Sequence, residues 1–176
     1  MPSPTLTPKF LAILALTVTL LGSVPILTLA QGNSGFTIFS GVERKDILDY
    51  YLQYGGRPGQ WDRYQLYVPA KKLSQGARRF YISYPANFDG KFDPKSVSIR
   101  TKNGEVPVAE TIWDRESRFL EISLAQDIPP NTKVDIVLSN VTNPDFGTYY
   151  LVCDVMASGD IPVRLYAGTW IVSIQR

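Results

Sequence analysis

The sequence predicts an all-β protein, an immunoglobulin-like β-sandwich of about eight or nine strands behind an N-terminal signal helix. Three observations predict it. Apolar and polar residues alternate at period two in one short run after another, which marks strands with one face in a core and one in water. Pro, Gly and Asn turn signals separate these runs. Beyond the N-terminal segment no long stretch has helical periodicity. A closed barrel is the alternative architecture.

The chain begins with a leader. Lys9 is its only charged residue before residue 30, residues 10–21 are apolar, and Pro25 breaks the segment. Thr28-Leu29-Ala30 carries small residues where a signal peptidase reads them, so residues 1–30 read as a signal peptide with Gln31 as the first mature residue. The rival reading is an uncleaved anchor, because residues 10–30 are just long enough to span a bilayer. No cysteine lies near the cleavage region, which excludes a lipoprotein anchor. Residues 31–41 form a linker with a small apolar patch, Phe36 to Phe39, that is either an edge strand or a flap. Residues 42–176 form the sandwich domain.

Within that domain, Leu48, Tyr50, Leu52 and Tyr54 share one face of a first strand, with a helix over 42–51 as the competing reading. The GGRPG segment is a loop. Tyr64, Leu66 and Val68 face inward on the next strand, and Phe80, Ile82 and Tyr84 on the one after. NFDGKFDP is a turn-rich connection. Val97 and Ile99 mark a short strand, Asn103-Gly104 a tight turn, and Val106, Val108 and Ile112 one further strand. Leu120, Ile122 and Leu124 follow a polar turn. Val134, Ile136 and Leu138 lie on one strand. Tyr149, Leu151, Cys153 and Val155 lie on the next. Val163, Leu165, Trp170, Val172 and Ile174 belong to the last, with a bulge or bend expected at Gly168, where the apolar parity changes.

Composition narrows the chemistry. The chain has 18 basic and 16 acidic residues, a net charge of +2, and no histidine. That balance gives no global attraction to nucleic acid or to anionic membranes. Without histidine, Ser-His-Asp and Cys-His catalysis are excluded, as is the commonest metal ligand. Cys153 is the single cysteine, so no intramolecular disulfide can form, and its place on an apolar face reads as a small buried hydrophobe.

Seven blocks in order carry a family resemblance: SGVERKDILDYYLQYGG, PGQWDRYQLYVPAKKL, RRFYISYP, FDPKSVSIR, IPPNTKVDIVLSNVTNP, GTYYLVCDV and LYAGTWIVSI. In these the chain resembles the cyanobacterial family called domain of unknown function 2808. The resemblance implies an exported cyanobacterial β-sandwich protein, and it carries over no catalytic residue.

Three groups of side chains are candidates for function. Asn87, Asp89 and Asp93 place three oxygen ligands and a glycine in one turn. This is a weak calcium candidate, because calcium takes six or more oxygens and an Asx-type turn explains the same residues. Glu110, Asp114, Glu116 and Glu121 bracket a hairpin with Arg115 and Arg118, which reads as cross-strand ion pairing. Tyr50, Tyr51, Tyr54, Trp61, Tyr64 and Tyr67 are interleaved with Arg57 and Arg63. Alternation sends about half of these aromatics inward. The remainder around 55–63, Arg57, Trp61 and Arg63, is the candidate surface for a protein or glycan partner.

The expectation is therefore a non-enzymatic, exported protein of the cell envelope, without a cofactor and without a nucleic-acid partner. It would touch a membrane only through an uncleaved leader. Its place is the periplasm, the outer surface or the thylakoid lumen. The alternatives are a carboxylate-dependent glycan-acting enzyme and an anchored structural subunit of an envelope assembly.

Overall fold

The computed structural model describes residues 41–159 and 161–175. The leader read over 1–30, with its signal helix, and the apolar patch at 36–39 lie outside them. Eleven strands follow in order: β1 (Ile47–Leu48), β2 (Tyr50–Leu52), β3 (Trp61–Val68), β4 (Ala77–Ser83), β5 (Val97–Thr101), β6 (Gly104–Val106), β7 (Val108–Asp114), β8 (Phe119–Ile128), β9 (Val134–Thr142), β10 (Gly147–Met156) and β11 (Arg164–Ile174). They form a six-stranded sheet, β1-β11-β10-β4-β8-β7, and a five-stranded sheet, β2-β3-β9-β5-β6. Every pairing is antiparallel except β1 with β11, which is parallel.

The strand count exceeds the expectation for one reason, which applies twice. The run at 47–52 and the run at 104–114 each change sheets midway. β1 pairs β11 and β2 pairs β3, with Asp49 as the hinge. β6 pairs β5 and β7 pairs β8, with Pro107 as the hinge. Proline has no N–H for a ladder, so the strand can leave its sheet there without losing a bond. The competing helix over 42–51 reduces to a 3-10 turn at Arg44–Asp46. Tyr54 lies beyond β2 and is exposed, not on an inward face. Ile112 is exposed too, because a bulge between Val108 and Glu110 shifts the parity of β7. Val163 precedes β11 and is exposed as well.

Elsewhere period two decides the core. Tyr64, Leu66, Val68, Val134, Ile136, Leu138, Leu151, Cys153, Trp170, Val172 and Ile174 are all buried in one cluster between the sheets. Burial pushes the Cys153 thiol up, since a thiolate there would lose its water. The bend expected at Gly168 is present as a register shift of β11 against Cys153 and Asp154. Gly168 has φ 151, and a Cβ there would sit 2.6 Å from the Asp46 carbonyl oxygen, so only glycine lets β1 lie against β11.

The antiparallel layout sorts the loops into two ends. At one end the 53–60 loop meets 143–146 through the Asn143 amide, which donates to Gln60 O at 2.8 Å. The 84–93 loop joins there through paired Lys91 and Thr142 bonds and through the Tyr84 amide, which donates to Arg118 O. The 69–76, 125–133 and 157–159 segments meet at the opposite end, where the Asn131 amide donates to Leu73 O and the Ser158 amide to Gln75 O.

Candidate functional site

The 53–60 loop is pinned by a residue the alternation pattern already contained. Asp62 continues the inward face of Tyr64, Leu66 and Val68 by one step, and it is fully buried. Its carboxylate accepts the backbone N–H groups of Tyr54 at 2.8 Å, Gly56 at 2.8 Å and Arg63 at 2.7 Å. Three amides satisfy a charge that burial would otherwise make costly. Asn143 completes the arrangement. Its Nδ2 donates to Arg57 O at 3.0 Å, while its Oδ1 accepts the Tyr64 hydroxyl at 2.7 Å. Gly56, at φ +63, lets the chain fold back, and its carbonyl accepts the Gln175 amide at 3.1 Å. The loop is thus tied to strands of both sheets.

What this scaffold presents is aromatic. Trp61 opens β3 and is 59% exposed, and Tyr54 is 44% exposed. Their rings lie 4.8 Å apart at an interplanar angle of 58°. Arg57 is exposed at the loop crest. Arg63 differs from these two: it is half-buried on the sheet face, where its Nε donates to Ser139 at 3.1 Å and Nη1 to Gln53 at 3.3 Å. Phe146, 65% exposed, belongs to the neighbouring 143–146 connection.

The 84–93 loop closes the same end from inside. Phe88 and Phe92 are buried and stack at 5.2 Å, with Tyr84, Tyr149 and Trp113 at their edges. The turn-rich connection expected here hides two core phenylalanines, which fall outside any period-two run. The Trp113 indole N–H donates to the Tyr84 hydroxyl at 2.8 Å.

The oxygen-bearing residues of that loop have separate partners. Asp89 accepts the Asp145 amide at 3.0 Å, and Asn87 stands exposed. Asp93 accepts the Lys95 amide, the Ser96 hydroxyl and the Asn140 side-chain amide. These bonds, that of Ser96 foremost, hold its carboxyl below the ordinary range. Among the described residues no three of His, Cys, Asp and Glu group for a metal.

The charges around the 115–118 turn are arranged otherwise than expected. Glu121 pairs with Arg79 of β4 at 2.9 Å, across the sheet rather than within the hairpin. Asp114 accepts the Ser117 amide at 2.9 Å, which holds its carboxyl low. Arg115 lies over the Trp113 ring at 5.2 Å. Arg118 occupies the left-handed region at φ 57. Among the described residues neither arginine has an ion pair. The turn is closed by side-chain-to-backbone bonding, so the opposite charges are not needed to hold it.

Two sheets, edge strands that change partners and a loop-built end define an all-β sandwich module with an immunoglobulin-like fold. The chain belongs to the family described as "Protein of unknown function (DUF2808)", whose model matches residues 36–174. Solved structures resemble it in fold alone. BslA, described as a bacterial hydrophobin, has a TM-score of 0.49 at 13% identity, covering 73% of this chain and 92% of that one. An uncharacterized protein from Nocardia farcinica with an immunoglobulin-like fold has a TM-score of 0.46 at 9% identity, covering 73% and 98%. A collagen-binding domain from a Staphylococcus aureus adhesin has 0.41 at 8% identity, covering 74% and 97%. No curated protein matches the sequence. Among the described residues no helix is long and apolar enough to cross a membrane.

Proposed function

We propose that this protein is an exported, non-enzymatic binding module of the cell envelope, which holds a protein or glycan partner through the end of the sandwich that carries Trp61. One observation carries the reading: Trp61 and Tyr54 are left in water on a loop held rigid by the buried Asp62. Large aromatic surface left exposed is unfavourable on a free monomer and favourable in an interface. A loop ordered in advance loses little entropy on binding, so more of the contact energy appears as affinity. Arg57 supplies a second hot-spot residue type beside the pair, and Arg63 supports the loop from the sheet.

The test is a double variant, Trp61→Ala with Arg57→Ala, compared with wild type in crosslinking and pull-down from the native envelope. The expected result is an unchanged Tm and a partner affinity weaker by about 2 kcal/mol or more. A variant that melts several degrees lower and still captures the same partner defeats the reading. Export has its own test. N-terminal sequencing of the mature protein should begin at Gln31, and an intact Met1 or Pro2 would favour a retained anchor.

A further inference from the structure

A concavity lies at the same end of the sandwich, between the 84–90 loop and the 115–118 turn. Its volume is about 250 Å³, and Tyr84, Asp89, Gly90, Trp113, Arg115 and Arg118 line it. Arg115 is oriented by its position 5.2 Å over the Trp113 ring, leaving its N–H donors without a carboxylate among the described residues. Arg118 holds a left-handed backbone at φ 57, where glycine or asparagine is cheaper. Its side chain is exposed and has no ion pair among the described residues, so the guanidinium is open to a ligand. Beneath Arg115 lies a packed aromatic floor. Trp113 is bonded to the Tyr84 hydroxyl, and Phe92 packs edge-on to it at 5.7 Å.

The lining carries two cations and one carboxylate, Asp89, whose Oδ1 already accepts the Asp145 amide. Two guanidinium forks fit an oxyanion. The remaining lone pairs of Asp89 repel a second anion but accept from hydroxyls. A ligand that satisfies both has an anionic group at one end and hydroxyl donors at the other, and it is about as large as one sugar ring.

We propose that this depression is a subsite for an acidic sugar unit of a glycan, with Arg115 and Arg118 holding its carboxylate or sulfate and Asp89 accepting from its hydroxyls. The inference rests on the binding-module reading for its choice of end and for its glycan class, and it has a separate readout.

The chain has three tryptophans, so its indole N–H groups give three resonances. Trp113 reports this subsite, Trp61 reports the 53–60 loop, and the fully buried Trp170 is the control. The isotope-labelled mature protein is titrated with glucuronate, glucose 6-sulfate, glucose, inorganic sulfate and an Asp/Glu-rich peptide. Glucuronate or the sugar sulfate should shift Trp113, the first alone marking a carboxylate site and both an oxyanion site. Glucose, sulfate ion and the peptide should leave it in place. Arg118→Gly should keep or raise Tm, because it relieves the left-handed backbone, and should weaken the shift-derived affinity by about tenfold. Equal shifts with glucose or with inorganic sulfate overturn the proposal, as does a larger shift with the peptide or none with either acidic sugar. A silent Trp113 with a loop that still captures its partner through Trp61 removes the subsite and leaves the binding module standing.

Discussion

The two ends of the sandwich are closed by different chemistry. The end at 69–76 is sealed by aliphatic burial: Leu73 and Ile128 are 1% exposed and Ala157 is 2% exposed, and the apolar side chains left in water beside them, Ile161 and Val163, are aliphatic as well. Lys72 there is paired to Asp46, and both side chains are mostly covered. The end at 53–60 is sealed from within by Phe88, Phe92 and Trp113, and it then carries a second, outer layer of Trp61, Tyr54 and Phe146 in water. A closure that needed only to exclude solvent would stop at the first layer. The difference teaches that the aromatic residues at one end serve two purposes, and that burial separates them.

The largest test of this contrast is the pin beneath the outer layer. Asp62→Ala orphans the amides of Tyr54, Gly56 and Arg63, and should lower unfolding free energy by about 3–5 kcal/mol in denaturant melts. If the loss is under about 1 kcal/mol, the loop is not held by that carboxylate.

Next comes the direct comparison of the ends. Leu73→Ala should cost about 2–4 kcal/mol, because it opens a cavity in a fully packed site. Trp61→Ala should cost less than about 1 kcal/mol, despite the larger side chain removed, because most of it is already in water. Equal losses would erase the distinction between a closing end and a presenting end.

A third measurement tests the core both ends enclose. Cys153 is fully buried with its thiol pushed up, so a thiol reagent should label the native protein far more slowly than the denatured one. Labelling at the denatured rate would mean that the Tyr149, Leu151, Cys153 and Val155 face is not the core.

The smallest effect is at acid pH. The hydrogen bond from Lys72, above all, lowers the Asp46 carboxyl below its ordinary value of 3.8. A carboxyl lowered on folding stabilises the native state fully above that ordinary value, and the contribution is lost as pH falls below it through the folded value. Asp46→Asn should therefore flatten part of the acid limb of the stability profile and leave its shape near neutrality unchanged. A parallel limb in the variant would show the pair to be energetically silent.

What the sequence determined by itself was parity. Alternation is local, so Tyr64, Leu66 and Val68, or Tyr149, Leu151 and Cys153, could be assigned to a buried face from their spacing alone. The same rule extended two residues back along β3 places Asp62 inside, so the pin of the candidate loop was legible in the pattern. The bend at Gly168 was legible too, because parity changes there. Sheet membership was not. β1 and β2, or β6 and β7, are consecutive in sequence yet belong to different sheets. Nothing in a strand's own alternation names its neighbour. Phe88 and Phe92 are buried because a loop folds back over the open end of two sheets, and Arg115 and Arg118 gather beside Asp89 because β4 and β8 are paired. Those juxtapositions depend on contacts between residues far apart in the chain, and only the tertiary structure brings them together.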